Sequence, residues 1–221
     1  IAVTCLTVGM MLAVTACGGK KAESTETAAQ TAVVVETQAQ TETETEAAQS
    51  ELTLADGQMF SYLTGEPVDK KIGLQRPYAI MINNIKEGLP QSGVSQAEMI
   101  YEAQVEGGIT RLMALFQDVD HVEKIGSIRS ARHYYIDFAN DNDAIYVHYG
   151  QSKYALSRIE DENITTIRGL SGYESQVFYR STDRKAPHNV YTTGEMLNAG
   201  LEVQKVRTQR YHHGAATALY H

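Results

Sequence analysis

Two arginines flank a serine in the motif Arg129-Ser130-Ala131-Arg132, which is the strongest candidate for chemistry in the sequence. Ser130 is a typical N-cap residue, so the pattern predicts a helix over about 131–139. A helix N-terminus presents unpaired N–H groups, and guanidinium groups suit carboxylate or phosphate. The motif therefore predicts a clamp for an anion, such as part of a cell-wall polymer or a peptide terminus. The alternative is that both arginines pair with internal acids such as Glu102 or Glu106.

Two carboxylates and an arginine accompany a predicted hairpin. Glu102 and Glu106 lie an even number of residues apart, so they would share one face of a strand. Paired carboxylates can bind a metal ion or transfer protons, or they can form ion pairs with a nearby arginine such as Arg111. Both interpretations stay open at this point.

Two histidines are further candidates for ligand binding. His148 ends an apolar strand, where side chains commonly project into a cleft, and His188 lies in a loop beside Asn189. Two histidines and a carboxylate can bind zinc, but the wide separation of these two gives no spacing signal. We therefore expect structural histidines, predict no metal site and no cofactor, and assign no catalytic residue.

Asn83 and Asn84 follow a buried strand, and Gln91-Ser92 lies a few residues beyond them. These polar residues either line the same cleft or form the turn that Asn and Ser favour. The sequence contains neither a phosphate-binding glycine loop nor a Gly-x-Ser-x-Gly nucleophile elbow.

Strands and helices alternate from Gly57 onward. Two strands joined through Gly107-Gly108 indicate a β-hairpin, and a turn cluster covers 140–143. The fold class predicted is mixed α/β, with an early hairpin and flanking helices. The apolar runs predict strands over 78–82, 99–105, 109–116 and 144–149, and the caps and periodicity predict helices over 131–139, over 152–160 and from Thr193 to just before Gly200.

The first residues predict export. Residues 1–16 are uncharged and apolar but shorter than the about 20 residues that span a bilayer, which is typical of a secretion signal. Val14-Thr15-Ala16-Cys17 resembles the lipobox of bacterial lipoproteins, so we expect a lipid on Cys17 and attachment to the outer face of the cell membrane. The chain begins with Ile1, and we expect its start to be incomplete.

Residues 17–56 predict a tether and residues 57–221 a single domain. The Thr-, Glu- and Ala-rich stretch from Gly18 to Asp56 contains two Lys, seven Glu and one Asp, a net charge of −6, and such composition favours disorder. The whole chain carries −8, so the rest carries −8 − (−6) = −2. A nearly neutral domain makes nucleic acid an unexpected partner. The stretch after Lys205 lacks periodicity, and we expect truncation at the C-terminal end.

The domain contains, in this order, the blocks Arg76 to Asn84, Pro90 to Glu98, Tyr101-Glu102, Val105 to Arg111, Gly126 to Arg132, and His148-Tyr149-Gly150. Together these blocks resemble the YerB-like lipoprotein family. This resemblance implies a domain of unknown function in lipoproteins of Gram-positive bacteria, usually followed by a C-terminal domain, and it supplies no catalytic residues. We therefore expect a binding or scaffolding lipoprotein of the envelope, the alternative being an extracytoplasmic hydrolase of a wall-derived substrate with Glu106 or His148 as base.

Overall fold

The computed structural model describes residues 53–210 of the chain. The predicted signal peptide, Cys17, nearly all of the tether and residues 211–221 lie outside this range. None of the helices within it is long and apolar enough to span a bilayer.

The described region contains ten strands and five α-helices. Short 3-10 turns cover Lys86–Gly88, Val94–Gln96 and Glu106–Gly108. The strands are β1 (Gln58–Phe60), β2 (Pro67–Asp69), β3 (Tyr78–Asn83), β4 (Met99–Gln104), β5 (Thr110–Phe116), β6 (Ile125–Gly126), β7 (Ile145–His148), β8 (Thr166–Arg168), β9 (Tyr179–Arg180) and β10 (Val190–Thr192), and the helices are α1 (Lys70–Gly73), α2 (His133–Asp141), α3 (Lys153–Asp161), α4 (Glu174–Val177) and α5 (Gly194–Val203).

A five-stranded sheet in the order β4-β5-β3-β7-β8 forms the centre of the fold. β4, β5 and β3 pair antiparallel, whereas β3, β7 and β8 run parallel. Two smaller sheets pair β1 with β2, and β10 with β6 and β9. The mixed α/β class and the early β4–β5 hairpin are therefore confirmed.

The central sheet is covered on both faces. All six residues of β3 are buried, as expected for a strand that reads as a continuous apolar run. Ile80 and Ile82 pack into one hydrophobic cluster, and Met81 packs into a second cluster with Tyr135 of α2 and Ala155 of α3. The side chains of β3 thus alternate between two cores.

Two of the three predicted helices begin where the sequence predicts them. The Ser152 hydroxyl accepts from the Ala155 N–H and begins α3, and Thr193 caps α5 in the same way through Met196. α5 continues past Gly200 to Val203, four residues further than predicted.

The N-terminus predicted at Ser130 is wrong. α2 begins at His133 with Arg132 as its N-cap, and no side chain caps it. The Ser130 hydroxyl donates instead to the Tyr149 carbonyl, and the Ala131 N–H donates to the carbonyl of Gly150. Pairing with a distant segment therefore holds Ser130 and Ala131 extended, which delays the helix.

Candidate functional site

An arginine-bearing segment, residues 127–131, lies between the carboxyl ends of β3 and β7. These two strands pair from Tyr78 and Ile145 as far as Ile80 and Val147, and no further. Beyond that point the Arg129 N–H donates to the Met81 carbonyl at 2.9 Å, and the Tyr149 N–H donates to the Arg129 carbonyl at 3.0 Å. Ligands commonly bind at the carboxyl ends of strands in open α/β sheets. The side chains of this segment therefore lie where a ligand could bind.

Three arginines converge here, and we call Arg111, Arg129 and Arg132 the arginine cluster. Arg111 comes from β5 and is only 4% exposed. Burial, followed by the charges of Arg132 and Arg129, lowers the pKa of Arg111 to about 10. Burial and the charge of Arg132 also lower the pKa of Arg129. These shifts mean that the three guanidinium groups lie close enough for their positive charges to repel one another.

Only one member of the arginine cluster pairs with an acid among residues 53–210. Arg132 contacts the Glu106 carboxylate through Nε at 2.8 Å and through its terminal nitrogen at 2.7 Å. Arg111 instead donates to the Ser130 carbonyl, and Arg129 donates to the Pro187 carbonyl at 2.9 Å. The alternative that both arginines of the motif pair with internal acids thus holds for Arg132 and fails for Arg129.

Ser127 is a site residue that the sequence did not single out. It is fully buried, and its hydroxyl has no hydrogen-bond partner in the described structure. Ile128 packs into the same core as Ile82, so the alternation of extended backbone places Ser127 and Arg129 on the opposite face. The Arg129 Nε is likewise buried and without a partner in the described region. The only feature of the sequence that points to Ser127 is its position two residues before Arg129.

Asn83 lies between Ser127 and Arg111 in the register of the sheet. It pairs with Arg111 of β5 on one side, and its N–H donates to the Ser127 carbonyl at 2.9 Å on the other. Its amide contacts His188 Nδ1 at 3.0 Å. Burial and the charge of Arg129 lower the pKa of His188, so its ring is favoured in the neutral form beside the cluster.

Asn189 follows His188 in the chain, but its side chain forms hydrogen bonds at the end of β9. Its Oδ1 accepts from Arg180 at 2.8 Å, and its Nδ2 donates to the Ser181 carbonyl at 3.1 Å. Both interactions keep this side chain with the β9 strand end. The structure therefore brings His188 to the arginine cluster and leaves Asn189 engaged elsewhere.

His148 is an interior residue, so the expectation that it projects into a cleft is wrong. It has no exposed surface, and Nδ1 contacts the Gly150 carbonyl at 2.8 Å. Burial lowers its pKa to about 4, and the nearby charge that lowers it further is that of Arg168 on β8. Its Nε2 has no partner within the described residues. Its position at the end of an apolar strand suggested a side chain that projects into a cleft, but neighbouring elements cover that end.

Glu102 and Glu106 do not form a carboxylate pair. β4 ends at Gln104, so Glu106 lies in the following 3-10 turn rather than on the same strand. Glu102 accepts from the Asn84 amide at 2.9 Å, and that amide also donates to Thr110. No group of three or more His, Cys, Asp or Glu side chains in the described region could hold a metal ion.

Comparison with known proteins shows the family to which this chain belongs. The family described as "Protein of unknown function (DUF3048) N-terminal domain" matches residues 63–207. The chain belongs to this family. The matched range contains every residue of the site, and the YerB-like resemblance read from the sequence blocks is confirmed.

Two matches from Bacillus subtilis support this family membership. The "Putative lipoprotein YerB" of strain 168 is 37% identical over 140 residues, which cover 63% of this chain and 42% of that protein. The crystal structure of YerB protein from the same species superposes with a TM-score of 0.64 at 34% identity, covering 69% of this chain and 52% of that chain. The chain thus spans about half the length of the relatives that it matches.

Proposed function

We propose that this chain is a lipoprotein of the cell envelope, anchored through Cys17 on the extracytoplasmic face, whose domain binds an anionic ligand at the arginine cluster. The lipobox-like Val14-Thr15-Ala16-Cys17 and the name of the Bacillus subtilis relative support the address. The uncompensated charges of Arg111 and Arg129 support the binding role.

The burial of Arg111 is the observation that carries the binding proposal. A buried cation without an acidic partner costs stability, because desolvation is not offset by attraction to a carboxylate. The hydrogen bond that Arg111 donates in the described structure goes to a carbonyl, and Arg132 and Arg129 each repel it more strongly than the nearby Glu106 attracts it. An anion bound among the three would remove this penalty, and guanidinium groups suit phosphate or carboxylate oxygens. A phosphate or carboxylate of a wall polymer or peptide fits this chemistry.

A hydrolase acting on a wall-derived substrate is the less favoured alternative. Its two candidate bases were Glu106 and His148. Glu106 is held by Arg132, and a strong hydrogen bond from Arg132 lowers its pKa, which makes it a weak base. His148 is enclosed by the interior. Neither residue is placed to accept a proton from a bound substrate, whereas anion binding needs only the donors that are present.

Titration calorimetry with inorganic phosphate tests the binding role on the purified chain. We expect Arg111→Met and Arg129→Met each to weaken binding at least about tenfold, as for the loss of a charge-assisted contact worth about 1.5–3 kcal/mol. Arg158→Met on α3 is the matched control, because it removes the same charge from an ion pair with Glu162 and Asp137. Arg111→Met should lower the free energy of unfolding by no more than about 1 kcal/mol. Equal phosphate binding by all four proteins, or none by the wild type, would reject the site.

Labelling with a radioactive fatty acid in the source bacterium tests the anchor. The wild-type protein should incorporate the label and sediment with membranes, because acyl chains on Cys17 provide stable attachment. Cys17→Ser removes the thiol that accepts the lipid and should abolish both. Cys5→Ser is the matched control, since it alters a thiol within the predicted signal and should leave labelling intact. An unlabelled wild-type protein would disprove the anchor.

A further inference from the structure

We infer that the ligand of the arginine cluster carries a phosphate monoester, and that the buried Ser127 hydroxyl and the Arg129 Nε bind its oxygens together with Arg111. The inference rests on the proposed anion-binding function and specifies the chemical class of the anion. It follows from the charge of the site, from its unused donors and from their common position on the sheet.

The charge of the site matches a dianion. Glu106 offsets one of the three guanidinium charges, and Arg111 and Arg129 have no acidic partner among the described residues. Two positive charges therefore remain. A carboxylate or a phosphodiester carries one negative charge and would leave a buried cation uncompensated. A phosphate monoester carries about −1.5 to −2 at pH 7 and neutralises both.

The unused groups of the site are hydrogen-bond donors. The Arg129 Nε can only donate, and the Ser127 hydroxyl can donate to an oxyanion. Arg111 uses one terminal nitrogen for the Ser130 carbonyl, which leaves other N–H groups for a ligand. These donors are more numerous than the two oxygens of a carboxylate. They suit the three terminal oxygens of a phosphate monoester.

The sheet register brings these donors to one place. Arg111 and Ser127 lie on either side of Asn83, and neighbouring strands are about 4.8 Å apart. Arg129 is two residues beyond Ser127 on the same face. The backbone positions of Arg111 and Ser127 are therefore roughly 10 Å apart, a span that an arginine side chain and a phosphate group together can bridge.

Titration calorimetry with methyl phosphate, dimethyl phosphate and acetate tests this assignment. At pH 8 methyl phosphate should bind at least about tenfold more tightly than the other two, because only it is a dianion. Its affinity should fall as the pH drops through about 6, where the monoester gains a proton. Comparable affinity for acetate or dimethyl phosphate would overturn the monoester while preserving the anion site. No binding of any of the three would defeat the proposed function itself.

Ser127→Ala tests the role of the hydroxyl. We expect it to weaken methyl phosphate binding about tenfold and to leave acetate affinity unchanged, with unaltered unfolding because the hydroxyl has no protein partner in the described region. Ser157→Ala on α3 is the control, since that hydroxyl contacts only Asp161 on the same exposed face. If Ser127→Ala destabilises the fold and leaves methyl phosphate affinity intact, Ser127 is a structural residue and the assignment fails.

Discussion

Glu106 holds Arg132 through both of its carboxylate oxygens, with each Nε–oxygen distance at 2.8 Å. The Arg132 side chain is 15% exposed, whereas that of Glu106 is 67% exposed. Gly107, which follows Glu106, has a φ of 76°, a left-handed conformation that glycine adopts without strain. The carboxylate thus lies at the rim of the arginine cluster and occupies the contacts that a bound anion would use.

Glu106→Gln should increase affinity for inorganic phosphate by about tenfold, because it frees Arg132 and removes a negative charge from the site. Calorimetric titration of both proteins gives the ratio. Because the Arg132 side chain is only 15% exposed, loss of its carboxylate partner should also lower the free energy of urea unfolding, by roughly 1–3 kcal/mol. Glu160→Gln, an exposed acid on α3, is the control for net charge alone. Weaker phosphate binding by Glu106→Gln would mean that Glu106 positions Arg132 for the ligand instead of competing with it.

His148 should make the fold sensitive to mild acid. Its pKa is about 4 in the folded protein and 6.5 as a free side chain, so the unfolded chain binds the proton more readily between these values. The stabilising contribution is complete above pH 6.5 and is lost as the pH falls toward 4. Urea unfolding at pH 5 should give a free energy about 2 kcal/mol lower than at pH 7.5 from this residue alone.

His148→Asn isolates that contribution. The amide can still donate to the Gly150 carbonyl but cannot titrate, so the difference between pH 7.5 and pH 5 should shrink by about 2 kcal/mol. His133→Gln changes an exposed histidine of α2 and should leave the wild-type difference in place. An unchanged pH dependence in His148→Asn would show that the proton is taken up elsewhere.

Tyr135 of α2 forms hydrogen bonds to both strands of the β4–β5 hairpin. Its hydroxyl accepts from the Ala103 N–H at 2.9 Å and donates to the Arg111 carbonyl. Tyr135→Phe removes both bonds and should lower the free energy of unfolding by about 1–3 kcal/mol, measured by urea denaturation. Tyr134→Phe is the matched control, because its more exposed hydroxyl donates only to Gln104 and should cost about 0.5–1 kcal/mol. Equal losses in the two variants would contradict this role of Tyr135.

Local signals in the sequence predicted the parts of the fold that depend on near neighbours. The apolar run of β3, the Gly107-Gly108 hairpin, the helix near Ser152 to Glu160 and the cap at Thr193 were all predicted correctly. Ser130 carries the same capping signal as Ser152, yet it does not cap a helix. The difference is that the Ala131 N–H donates to the Gly150 carbonyl. A contact between segments this far apart in the chain cannot be predicted from local helix propensity.

The sequence by itself determined that Arg129 and Arg132 are close together and that β3 is a buried strand, because both follow from residue type and spacing. Only the tertiary structure decided that Arg111 and Ser127 join them and that His148 does not reach a cleft. Arg111 enters through the register of β5 on β3, and Ser127 enters because residues 127–131 insert where β3 and β7 separate. Strand register depends on side-chain packing over the whole sheet, whereas spacing along the chain fixes only which face a residue shares with its neighbours.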